Sequence, residues 1–410
     1  MRPMRLMGLM GLMGLMGLMG CSEDSEDAGR VTIEVQPCAT GFAEEGDLSR
    51  MGDTGPWDIT RSWAPPTSPT KYVTYDAIYG TSGMFANQKN LVNKSISAFF
   101  TKNDGTSVEA TFFYLESSLT TKWQMRTEDV ESLPADDYFL YGFIPKEDAT
   151  GVSISTNSGY STDAVLTIRG LNAVTPSDVC VIVGAKDDKE YNEATANYSV
   201  SGLQAGHFNV HFYSGTGTKN YIFLLFDHIY SALRFGFKID SEYAALRTIK
   251  LRKLELTAYS DDHEGGVKAK YNATITLRKN DNGTSPIVGS VVFTPDESSA
   301  DVAPTPLFDW ENDPTKYVTL TTGEPAQFMG CFIPGDHTYF KLRTTYDVFD
   351  KEGNLIRQEC QAENSINLSS KFSYREAVGG HCYTYTITVK PTYLYVLSEP
   401  DLDNPTVTIN

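Results

Sequence analysis

The sequence predicts an all-β chain divided into two domains, and three observations carry that prediction. The composition, with 23 tyrosines, 21 phenylalanines and 33 glycines in 410 residues, favours pleated strands joined by frequent turns. Successive segments alternate apolar and polar residues with a period of two, the pattern of a strand with one dry face. The roughly 390 residues left after a removable leader exceed the size at which one hydrophobic core usually divides. The expected division is 1–20 as signal peptide, 21–29 as acidic tether, 30–220 as the N-terminal domain and 221–410 as the C-terminal domain.

Arg2 and Arg5 precede an apolar run of 15 residues, Leu6 to Gly20, built from LMG triplets. This length suits a secretory leader and falls short of the about 20 residues that a membrane-spanning helix needs. The tetrad Leu18-Met19-Gly20-Cys21 resembles the lipobox of bacterial lipoproteins, in which the cysteine is acylated and heads the mature chain. An ordinary signal peptide with an incidental cysteine is the alternative. The stretch "SEDSEDAG" that follows resembles the acidic export signal of surface lipoproteins in Bacteroides-like bacteria, and it also reads simply as a solvated spacer. Loss of the leader takes 34 basic residues to 32 against 52 acidic ones, so the net charge moves from −18 to −20. Such a surface repels phosphate backbones and argues against nucleic acid as a partner.

Within the body, "RVTIEVQP" at 30–37 alternates Val31, Ile33 and Val35. The segment 47–76, "DLSRMGDTGPWDITRSWAPPTSPTKYVTYD", is poorly patterned and cannot be a core strand across Pro65 and Pro66. "GHFNVHFYSG" places Phe208, Val210 and Phe212 on one face. In "YIFLLFDHIYSALRFGFKID", Ile222 to Phe226 is continuously apolar and Arg234 to Lys238 alternates, which reads as a buried strand, a bend and a second strand. A short helix is expected at Ser241, and then a strand over "RTIKLRKLELTAYS" with a bulge near Lys253. "AKYNATITLRK" puts Ala269, Tyr271, Ala273, Ile275 and Leu277 on one face. The acidic, proline-rich stretch 294–316 reads as a surface loop. "HTYFKLRTTYDVFD", the turn "KEGN" and "LIRQE" read as a hairpin, and "GHCYTYTITVKP" as a late strand with Tyr383, Tyr385, Ile387 and Val389 on one face.

The chain carries no nucleophile elbow, phosphate loop, CxxC or HExxH, so no catalysis, no cofactor and no metal are expected. Asp227 and His228 are the nearest approach to an acid–histidine pair. Neighbours on a strand point to opposite faces, which favours a histidine that is simply packed. Asp261, Asp262, His263 and Glu264 lack the spacing of a dedicated Ca²⁺ loop and read as a solvated turn, as does 185–193. Trp63, beside Pro65 and Pro66, and Trp310 are candidate contacts for a glycan or protein, although such rings more often cover a sheet edge. With Cys21 committed to lipid, Cys38, Cys180, Cys331, Cys360 and Cys382 form an odd, scattered set unlike a disulfide framework. A pair among the last three and buried thiols in strands both remain open.

Several segments in order resemble the fimbrillin family of Bacteroides-type bacteria, the major and minor fimbrial subunits and their relatives. They are the lipobox, "KWQ" before "DDYFLYGFIPKED", "SDVCVIVGAKDD", "LFDHIYSALRFGFKI", "TIKLRKLEL" and "GGHCYTYTITVKP". The resemblance implies two tandem transthyretin-like β-sandwich domains, a surface-exposed outer-membrane lipoprotein precursor, and other fimbrial subunits as partners. It further implies assembly by strand exchange, in which an arginine-directed protease removes the leading strand and a neighbour's strand fills the groove. Transferred to this chain, Arg50 and Arg61 are the candidate cleavage positions, 30–37 the removable strand, and 392–397 and 406–409 the donor. The function expected is therefore a structural and adhesive fimbrial subunit, with a host or bacterial surface ligand. The rival is a non-polymerising surface lipoprotein that binds glycans through its aromatic loops, losing saturable binding when Trp63 or Trp310 becomes alanine.

Overall fold

The computed structural model describes residues 32–40, 43–44, 72–74, 85–88, 91, 93–115, 123–125, 133–156, 164–188, 203, 205–214, 219–260, 266–277, 288–335, 339–368 and 380–390. Cys21, Arg50, Arg61, Trp63, the acidic turn 261–264 and the segments 392–397 and 406–409 lie outside these residues.

Strands β1 (Thr32–Thr40), β2 (Ala43–Glu44) and β3 (Tyr72–Thr74) precede β4 (Ser95–Thr101), β5 (Ser107–Tyr114), β6 (Trp123–Met125) and β7 (Asp136–Ile144). Next come β8 (Gly151–Thr156), β9 (Ala164–Asn172), β10 (Val174–Thr175), β11 (Cys180–Asp187) and β12 (Asn209–Phe212). β13 (Lys219–His228) and β14 (Ser231–Ile239) lead to the short helix α1 (Ser241–Leu246). Beyond it lie β15 (Thr248–Tyr259), β16 (Lys270–Leu277), β17 (Val288–Pro295) and β18 (Thr305–Asp309). β19 (Val318–Thr319), β20 (Ala326–Phe332), β21 (Tyr339–Phe349), β22 (Leu355–Asn367) and β23 (His381–Val389) complete the described chain, which is predominantly β.

The largest sheet runs β11-β13-β1-β6-β5-β4-β7-β12, with β3 added to β1. Because β11 pairs with β7 as well as β13, seven of these strands close into a ring that leaves β12 and β3 as side additions. Bulky rings fill its core: Phe100, Phe112, Trp123, Tyr138 and Phe143 are all buried, and Phe100 meets Tyr138 edge-on at 5.6 Å. Three further sheets run β10-β20-β14-β23-β2, β18-β15-β21-β22 with β19 on β15, and β17-β16-β9-β8. The last of these joins a hairpin from before residue 220 to one from after it.

Periodicity explains the individual strands. Tyr271, Ala273, Ile275 and Leu277 are buried along β16, with the intervening residues half-buried or exposed. β13 is apolar on both faces, and Ile222 to Phe226 are all buried, so the outer face of this ring strand is covered as well as the inner one; the chain leaves it at Ile229–Tyr230 to start β14 in another sheet. The hairpin β21–β22 forms as expected, and β15 shifts register against β21 between Leu251 and Lys253. Arg252, at that irregularity, donates to Asp347 at 3.0 Å and to Glu359 at 3.4 Å. The N–H of Glu359 in turn donates to Asp347, which holds Glu359 at its positive φ of 56°. Helix α1 is capped by Asp240, whose side chain accepts from the Glu242 N–H, one residue ahead of the expected start.

The stretch 294–316 differs from its expectation as a loop. It contains β18, since the apolar pair Leu307–Phe308 is buried against β15 despite the flanking prolines and acids. Residues 85–88 dock on the same region. The Asn87 side chain donates to the Leu307 and Met329 carbonyls and accepts from the Met329 N–H, so one amide satisfies three backbone groups.

Gly142 lies opposite Ala98 where β7 meets β4, and a Cβ added there would run into the Ser97 carbonyl. Gly142→Ala is expected to lower stability by about 1–3 kcal/mol, the usual cost of overpacking, read as a lower urea midpoint.

Candidate functional site

β1 is the first candidate. Its alternation turns Ile33 and Val35 into the core at 1% exposure each, with Pro37 buried beside them. On one flank it runs parallel to β13, from Thr32 opposite Lys219 to Ala39 opposite Phe226. On the other it pairs antiparallel with β6 at Glu34 and Val35 and with β3 from Cys38 to Thr40. Pro37, which has no N–H to donate, falls between those two runs. The β1–β13 ladder is the parallel pairing of a sheet whose other described pairings are antiparallel. Parallel ladders are slightly less stable per residue, so the strand that closes the ring does so through its weaker type of ladder. Just beyond, β2 pairs with β23, so the leading segment contributes to two sheets within a few residues.

Removing β1 would expose β13 and β6 as edges and uncover a trench, because Ile33 and Val35 belong to one continuous core with Trp123, Phe223 and Leu225. Burial of Ile33 and Val35 contributes roughly 1.5–3 kcal/mol each. A replacement strand with comparable side chains would recover that burial together with the backbone pairing.

A second constellation lies where β11 begins and β13 ends. Asp178, Cys180 and His228 are fully buried, and Cys180 stands directly opposite His228 in the β11–β13 ladder. Asp178 Oδ2 is 2.6 Å from His228 Nδ1 and 3.2 Å from Cys180 Sγ, and Sγ is 3.4 Å from Nδ1. The carboxylate only accepts, which fixes the imidazole proton on Nδ1 and directs the thiol proton to Asp178. Burial pushes the Cys180 thiol well above its ordinary range, and the neighbouring Asp178 carboxylate pushes it further. A thiol so held is a poor nucleophile.

The acid that His228 meets is therefore not its neighbour Asp227, whose carboxylate accepts from the His228 backbone N–H. The actual partner is 50 positions upstream. A sequence signal for it exists: Asp178 and His228 each lie at the end of a strongly apolar run, "VCVIV" and "YIFLLF".

Asp148 borders this region. Its carboxyl is raised above the ordinary range, first by burial, against the opposing pull of Lys94 and a Ser177 hydrogen bond. Its Oδ2 has no hydrogen-bond partner among the described residues. A folded-state value above the unfolded one means that the unfolded chain gives up its proton first. Asp148 therefore costs stability as pH rises from the ordinary carboxyl range through its raised value. Asp148→Asn is expected to match the parent in acid and exceed it at neutral pH, checked by urea midpoints across that range.

Trp310 is half-buried, its ring stacked on Phe308 at 4.2 Å. Of the 185–193 acids, the Asp187 carboxylate accepts from the His211 N–H. Cys180, Cys331, Cys360 and Cys382 are all buried. Cys331 and Cys382 face Ala232 from opposite sides of β14, about two strand spacings apart and so beyond disulfide reach. No helix among the described residues is long and apolar enough to cross a membrane.

The chain matches no protein-family model and no curated protein. Among solved structures it is similar to a proposed cell adhesion protein from Bacteroides fragilis, at 9% identity and a TM-score of 0.35, over 92% of this chain and 99% of that one. A proposed cell adhesion protein from Bacteroides uniformis matches at 12% identity and a TM-score of 0.32, covering 76% of this chain and 91% of the other. A fimbrial protein from Bacteroides vulgatus matches at 14% identity and a TM-score of 0.26 over the same shares.

Proposed function

We propose that this chain is a non-catalytic, structural and adhesive subunit at the outer surface of a bacterial outer membrane, anchored by lipid on Cys21. In this reading its leading strand is a removable plug, and subunits join when a neighbour's strand takes the place of β1 after cleavage at Arg50 or Arg61. The observation that carries the proposal is that β1 closes a ring of strands, with its apolar face fully buried and both flanks paired. Loss of a closing strand creates two complementary needs at once, for apolar cover and for backbone partners, and a second chain can meet both. Both candidate arginines follow β2, so either cut would detach the segment bearing β1 and β2 from the remaining chain.

The finer architecture belongs to the same proposal: two tandem transthyretin-like sandwiches followed by a donor tail at 392–397 and 406–409. The division was expected at 220/221. The pairing of β13 within the ring favours placing it at the Ile229–Tyr230 link.

The test is brief trypsin treatment of the folded protein lacking its leader, followed by intact-mass analysis, detergent-resistant gel ladders and electron microscopy. Cleavage at Arg50 or Arg61 followed by ladders and filaments is the expected result. A trimmed chain that sheds β1 yet stays monomeric at high concentration would overturn assembly by strand replacement.

A further inference from the structure

We infer that Asp178, Cys180 and His228 form a structural site for one divalent, borderline-soft cation of the zinc class. The proposal is independent of the strand-replacement reading. Three donors of different chemistry, a carboxylate oxygen, a thiol sulfur and an imidazole nitrogen, converge within 3.4 Å of one another where no side-chain surface reaches solvent. Among the described residues this is the one such convergence of three His, Cys, Asp or Glu donors. Thiolate and imidazole together select zinc-like ions over Mg²⁺ or Ca²⁺, which take oxygen donors.

The separations fit. Ligands about 2.0–2.3 Å from a tetrahedral zinc stand roughly 3.3–3.7 Å apart. The sulfur already lies 3.2 Å from Oδ2 and 3.4 Å from Nδ1. The Nδ1–Oδ2 contact, 2.6 Å as a hydrogen bond, has to widen by under about 1 Å, which a side-chain rotation supplies. On binding, the imidazole proton moves from Nδ1 to Nε2 and the thiol proton leaves to solvent. Aspartate, thiolate and a dication then sum to no net charge, as a fully buried site requires. Asp178 can also close onto the ion with its second oxygen as a bidentate carboxylate, which completes the site without a fourth residue.

The placement gives the ion a mechanical role. It would staple the start of β11 to the end of β13, immediately before the Ile229–Tyr230 passage into β14, and β13 is the strand along which β1 lies. A site closed on all sides would be loaded as the chain folds, as structural zinc sites are.

The test is refolding of the full mature chain from urea with CoCl₂, with ZnCl₂ or with EDTA, followed by desalting, metal analysis, absorption spectra and melting curves. About one equivalent of cobalt per chain is expected, with a thiolate-to-cobalt charge-transfer band and a higher melting temperature with zinc than with EDTA. Cys180→Ser should lose the band. Cys360→Ser, a buried cysteine in β22, should keep it. Less than about a tenth of an equivalent of cobalt in protein of native circular dichroism would overturn the site. So would a band that survives in Cys180→Ser.

Discussion

Charging the dry face of β1 with Ile33→Asp and Val35→Asp together is expected to eject the leading segment while leaving the rest of the fold in place. Each side chain is 1% exposed, so each substitution removes roughly 1.5–3 kcal/mol of apolar burial. Each also places a carboxylate where an unpaired charge costs several kcal/mol more. A nine-residue strand held on one side by a parallel ladder and on the other by two short antiparallel runs cannot offset that loss. The other strands keep their own chain of pairings, β13-β11-β7-β4-β5-β6, so the ring opens at one seam and need not come apart. Hydrogen exchange is the direct measurement: amides of 32–40 and their partners along β13 should lose protection, with β4, β5 and β7 unchanged. Under the proposed function the variant also assembles without protease. Unchanged protection of 32–40 would sink the plug idea, and a collapse of protection across β4, β5 and β7 would show that β1 is part of an indivisible core.

Much of the strand content was legible because period-two alternation reports which face of a strand is dry, and Tyr271 to Leu277 or Phe208 to Phe212 need no partner to show it. The continuous run Ile222 to Phe226 announced a strand buried on both faces for the same reason. Alternation does not say which strand lies alongside. Nothing in "TIEVQPC" reveals that β1 runs parallel to β13, and nothing in β9 reveals that it pairs with β16 about 100 residues later. Leu307–Phe308 was hidden by its prolines and acids, since a two-residue apolar signal is too short to carry a period. The Asp178–His228 pair escaped because sequence proximity pointed to Asp227, whereas an antiparallel ladder brings together residues 50 apart.

Removing either member of that pair is the second large effect expected. Asp178 and His228 are wholly buried and share a 2.6 Å hydrogen bond. In metal-free protein His228→Ala leaves the carboxylate with the weaker Cys180 thiol donor in place of the imidazole N–H, and opens a cavity where the ring was. Breaking a buried pair by truncating one side commonly costs about 3–5 kcal/mol, a large share of the 5–15 kcal/mol that holds a typical domain folded. Asp178→Asn removes the charge but keeps an oxygen able to accept from Nδ1, so its cost should be smaller. Adding Asp178→Asn to His228→Ala should recover part of the loss, because the stranded charge is then gone. Urea melts of the two single variants and the double variant, with EDTA present, give the coupling directly. Additive costs would mean that the two side chains merely pack side by side. A double variant more stable than the sum predicts would identify the buried bond as what fixes the end of β13 to the start of β11.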